Sequence, residues 1–137
     1  MTTSQSNIAT NQLIQQARRR YLAAHPLRTT DLPAFTATGS PAGSMTIPNI
    51  GDVQITGCKL GMEYLAICHD DEAVEEWIHT ALAIAKDPEV TGVLLANVLR
   101  GMNVVIGSII DNASLRVHMQ QQAIEAWNRD FGPEDQS

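Results

Sequence analysis

Aromatic side chains are scarce in this chain: two Trp, two Tyr and two Phe make up 4 % of its 137 residues. A core without them is built from Leu, Ile, Val, Ala and Met, which favours helix-on-helix packing over an aromatic-rich sandwich. Cysteine is almost absent too. Cys58 and Cys68 are too few and too close in sequence for a disulfide framework and read as reduced, buried thiols. No charged apolar leader precedes a long apolar stretch near Met1, so a cytoplasmic location is expected. There is no glycine-rich phosphate loop, no nucleophile elbow and no pair of catalytic carboxylates at a recognisable spacing.

Acid is absent from residues 1–30, which carry Arg18, Arg19, Arg20 and Arg28 for a charge of +4. Residues 31–137 hold five bases against fifteen acids, a balance of −10. The chain thus reads as a basic arm on an acidic body. Such an arm either reaches for an external polyanion or lies on an acidic surface of its own or a neighbouring copy. Arg18, Arg19 and Arg20, followed by Tyr21, carry the nucleic-acid alternative through phosphate contact and base stacking. The acidic body would repel a phosphate chain, so that alternative is the weaker one.

What remains is apolar enough to fold: 44 % hydrophobic and 18 % charged. Residues 8–24 have helical spacing, with Leu13, Ile14, Ala17 and Tyr21 on one side. His25-Pro26 ends that helix. Four of the six prolines then fall within residues 25–49, and the stretch 25–45 reads as a flexible, extended linker. Gly51-Asp52 between residues 46–50 and 53–56 suggests a hairpin turn. Residues 62–68 are taken as a third strand, although their apolar side chains also fit a helix.

From Asp70 the pattern is helical. Asp70 or Asp71 can cap the first turn, Asp87-Pro88 separates this helix from the next, and Gly132-Pro133 stops the last. Within residues 90–110 the bulky side chains fall on one half, while Asn97, Arg100 and Asn103 with small residues fall on the other. An arginine in mid-segment costs about 2.5–3.5 kcal/mol in a bilayer, which argues against a membrane span. The expected architecture is α+β and mainly α. It comprises a helical arm (1–24), a linker (25–45), one globular domain (46–131) and a frayed tail (132–137). The domain holds a small hairpin or three-stranded sheet followed by a three-helix core.

The polar stripe of Asn97, Arg100, Asn103 and neighbouring Asp111 is the leading candidate for ligand or subunit contact, since a guanidinium fork flanked by amides suits carboxylate or phosphate. Facing water is the plainer reading of the same stripe. Glu76 and His79 have the spacing of one helical metal-ligand pair, but a single copy more often decorates an exposed helix surface. Cys68 beside His69 cannot form a nucleophile and base if both lie on a strand, where neighbours point to opposite faces. His79 or His118 would have to complete such a site.

The function expected is therefore a non-enzymatic helical binding or assembly protein without cofactor. It would associate with itself and take a small anionic ligand or a protein partner through the stripe. A metal- or thiol-dependent enzyme using Glu76 and His79, or Cys68, is the alternative from another class.

Overall fold

The computed structural model describes residues 3–129. The elements run α1 (Thr3–Ala24), β1 (Thr29–Phe35), β2 (Pro41–Pro48), α2 (Ile50–Ile67), α3 (Asp71–Ala85), α4 (Pro88–Ile110) and α5 (Ala113–Asn128). The chain is α+β and mainly α, with a two-stranded antiparallel sheet. It divides into two compact units, Met1–Met102 and Asn103–Ser137. The tail expected to fray, 132–137, lies outside the described residues.

The hairpin exists, but not at Gly51-Asp52. It is made by the stretch read as a linker, with Thr30 opposite Ile47 and Leu32 opposite Met45. Pro33, Pro41 and Pro48 concealed it. A two-stranded ribbon has only edge strands, and on an outward edge a residue without an N–H forfeits no ladder bond. The loop closes through Thr36 N–H to the Ser40 carbonyl at 2.8 Å and Gly39 N–H to the Thr36 carbonyl at 2.9 Å. Gly39, at φ +86°, occupies the left-handed region that glycine enters without a Cβ clash.

Residues 50–56 open a helix instead of turning between strands. Asn49 caps α2 by accepting the Asp52 N–H at 3.0 Å, satisfying one of the orphan donors of the first turn. Residues 62–67 continue the same helix to Ile67, so the expected third strand is not formed. The Asn-x-x-Asp start outweighs the glycine of a two-residue turn.

The core of the first unit joins α2, α3 and α4 through Val53, Leu60 and Ile67, Trp77, Ala81 and Ala85, and Val90, Leu94 and Val98. A three-helix core is therefore present, with α2 in the place expected for the last helix; α5 buries no residue. Trp77 ties α3 to α2 by donating Nε1–H to the Leu60 carbonyl at 3.1 Å, and its ring meets Tyr64 edge-on at 5.1 Å.

Contact between α2 and α4 is backbone to backbone. A Cβ on Gly57 would lie 2.6 Å from the Asn97 Cβ, one on Gly61 2.5 Å from the Val98 carbonyl oxygen, and one on Gly101 2.8 Å from Cys58 Cα. Each glycine costs a helix about 1 kcal/mol relative to alanine. Here that cost is offset by an approach no larger side chain allows.

Candidate functional site

This close crossing decides the fate of the stripe. The bulky half of residues 90–110 is expected to be buried, with the narrower polar stripe facing water, a ligand or a partner. Of the bulky half, Leu94 and Val98 are buried while Leu95 and Leu99 are exposed, and from the polar stripe Asn97 is buried, beside Val90 and Gly101. Asn97 and Gly101 are drawn inward at the close crossing, Asn97 against Gly57 and Gly101 against Cys58, while Ala96, Arg100 and Asn103 stay exposed.

Asn97 is consequently committed to the fold. Its Nδ2–H donates to the Val93 carbonyl at 2.9 Å, and its Oδ1 accepts from Arg100 Nη1 at 3.3 Å. Arg100 itself is exposed, as is Asn103. Asp111, also exposed, pairs with Arg116 at 3.3 Å across the start of α5. The stripe therefore divides: Asn97 serves packing, while Arg100 and Asn103 keep donors open to solvent.

Helix α1 does not hang free. Arg18 forms an ion pair with Glu63 of α2, the two side chains being only 11 % and 10 % exposed. Gln15 donates to Glu76 of α3 at 3.1 Å, and Ile14 packs against the core. Lys59 Nζ stands 4.5 Å from the centre of the Tyr21 ring, within cation–π range, and Tyr21 stacks on His25. The basic arm thus lies on acids of its own chain. Arg19 and Arg20 point outward. Burial pushes the Glu63 carboxyl above its ordinary value and the nearby Glu76 charge adds to this, while Arg18 pulls it back down.

Between α1, α2 and α3 lies a cavity of about 370 Å³. Tyr21, Leu22, Leu60, Met62 and Ile84 give it apolar walls, and Thr56, Lys59, Arg18 and Glu63 give it a few polar points. That composition and size are typical of small-molecule sites. Sequence reasoning missed Thr56 and Glu63 because it placed them on strands, and Lys59 because it left it between two of them. Their helical intervals of three and four were the available signal.

The remaining candidates do not converge. Among the described residues no three His, Cys, Asp or Glu side chains are grouped to hold a metal ion. Glu76 is taken by Gln15, and His79 is exposed. Cys58 and Cys68 are both exposed, contrary to the expectation of buried thiols. The Cys58 backbone is what packs, against Gly101, while its thiol sits 3.8 Å from the Asn97 carbonyl oxygen. His69 follows Cys68 just beyond the end of α2, and His118 is exposed on α5.

The second unit has a different character. Its described residues include none that is buried. Yet Val104 is 74 %, Ile109 65 % and Trp127 90 % exposed, and Val117, Met119 and Ile124 are exposed as well. Compared with known proteins, the chain matches no family model, no curated protein and no solved structure.

Proposed function

We propose that this protein is a non-enzymatic helical assembly protein that associates with copies of itself through the apolar surface of its second unit. The observation that carries the reading is that Val104, Ile109 and Trp127 stand open to solvent in a unit none of whose described residues is buried. Apolar patches of this kind ordinarily mark contact surfaces, and an exposed Trp is the side chain most often found anchoring them. A second copy is the favoured occupant because Leu95, Leu99, Ile106 and Ile109 fall on a four-and-three repeat along α4, whose intervening Met102 packs on the core of the first unit. That is the repeat of a seam between helices.

By length and composition α4 is also apolar enough to cross a membrane. Arg100 in its middle and the packing of its first half on α2 favour a protein partner over lipid. The exposed donors of Arg100 and Asn103 are left to meet an anionic group on that partner.

The test is sedimentation of the full chain beside the double variant Val104→Glu, Ile109→Glu. Both positions are solvent-exposed, so helicity by circular dichroism should be kept. The parent chain should sediment as a multimer and the variant with at least tenfold weaker association. Identical sedimentation of the two overturns the reading. Arg100→Ala serves as the companion variant and should weaken association to a smaller degree.

A further inference from the structure

We propose that the cleft between α1 and α2, closed on one side by Ile84 of α3, binds an amphipathic monocarboxylate, its tail among Leu22, Leu60 and Ile84 and its carboxylate on Thr56 and Lys59. This does not rest on self-association, since every residue involved belongs to the first unit. Three observations lead to it.

The first is an unsatisfied hydroxyl. Thr56 is only 4 % exposed and lines the cavity, and its hydroxyl makes no hydrogen bond among the described residues. Among the described residues no side-chain oxygen sealed completely from solvent is without a partner, so the Thr56 hydroxyl keeps some access, at a residue that lines the cavity. A polar group held in an apolar wall gains from an acceptor or donor placed there.

The second is charge. Arg18 and Glu63 neutralise each other, whereas Lys59 is paired with no carboxylate among the described residues and rests over the Tyr21 ring. The site therefore keeps one uncompensated positive charge. The third is position. Thr56 and Lys59 are three residues apart on α2 and so neighbour each other on one face, placing a hydroxyl donor beside an ammonium donor. One carboxylate accepts from both, in a charge-assisted pairing with Lys59. A neutral alcohol can accept from either donor but without charge assistance, and an alkylammonium meets a like charge.

Titration of the isotope-labelled full chain with octanoate, octanol and octylammonium, each below its micelle concentration, separates the cases by amide shifts. Octanoate should saturate with shifts centred on Thr56, Lys59 and Tyr21. Octanol should bind about tenfold more weakly, as expected for loss of one charge-assisted hydrogen bond, and octylammonium should not saturate. Lys59→Gln, at an exposed position, should lower octanoate affinity about tenfold with unchanged helicity. Thr56→Val, which keeps the shape and removes the hydroxyl, should lower it several-fold. Absence of saturation by octanoate, equal affinity for the three probes, or a Lys59→Gln protein that binds octanoate like the parent would each overturn the proposal.

Discussion

Asp52 does more for this fold than its place in a glycine-containing dipeptide suggests. Its carboxylate accepts from the Arg28 backbone N–H at 3.0 Å, from Nε at 2.8 Å and from Nη2 at 2.8 Å. These bonds tie the base of the hairpin to the first turn of α2. The Arg28 hydrogen bonds hold the carboxyl down at about 2 against an ordinary 3.8. Its contribution to stability is present above the unfolded value and is lost as pH falls through the folded one. Glu63 has the opposite sign: held above its ordinary value, it takes up a proton more readily when folded, so its ionisation costs stability as pH rises through that interval. An NMR titration of the Asp52 carboxyl should give a midpoint near 2 in the parent, returning toward 3.8 in Arg28→Ala; an unchanged midpoint would show that the clasp does not govern it. Lys86 is a second informative residue. At φ 69° and ψ −47°, with the Asp87 N–H bonded to the Ala85 carbonyl at 2.9 Å, it sits in the strained form of the three-residue turn. Lys86→Gly should raise the thermal midpoint by relieving about 1 kcal/mol, and a lowered midpoint would argue that Lys86 is held by something other than its backbone. Neither role was legible in the sequence, because a clasp to Arg28 spans 24 residues and a turn conformation has no residue signature when Lys occupies it.

At the scale of elements, the helical stretch from Asp70 onward was legible and the preceding part was not. Asp70 does cap α3, accepting from Glu72 and Ala73 N–H at 3.1 and 3.3 Å. Asp87 caps α4 by accepting the Val90 N–H at 2.9 Å, with Pro88 at the first helical position. Caps are local, so the sequence states them. The hairpin turn was expected at 51–52 and lies at 36–40, because proline was weighed as a breaker, which holds for central strands and fails for a two-stranded ribbon. The α2 helix was hidden by Gly51, Gly57 and Gly61, residues that lower helix propensity and whose use appears only when α4 is laid against them. This makes a sharp expectation. Gly61→Ala should destabilise by about 1–3 kcal/mol, because overpacking against the Val98 carbonyl exceeds the gain in helix propensity. Gly92→Ala on α4, where an added Cβ meets nothing within 4 Å, should instead stabilise by about 0.5–1 kcal/mol. Denaturant unfolding of the two variants checks both signs at once, and a Gly61→Ala protein as stable as Gly92→Ala would contradict the close crossing.

The whole molecule is an acidic, mainly helical chain whose basic N-terminal helix lies on its own acids through Arg18 and Glu63 and whose C-terminal helix buries nothing. The charge division at residue 30 was visible in the sequence; which acids received the arm was not, since Glu63 is 45 residues from Arg18. The amphipathic spacing of α4 was visible as well, but not which of its faces meets α2, because small residues and bulky ones can each line a helix contact. That choice leaves Leu95, Leu99, Val104 and Ile109 exposed on α4 and Trp127 on α5, the side chains that the proposed self-association would cover. The mass of the full chain in detergent-free buffer, followed by native mass spectrometry over a range of concentrations, tests this most directly. The account predicts a multiple of the 14.9 kDa chain mass that falls toward one chain on dilution, whereas a single chain at every concentration, or a protein kept dispersed only by detergent, would contradict it.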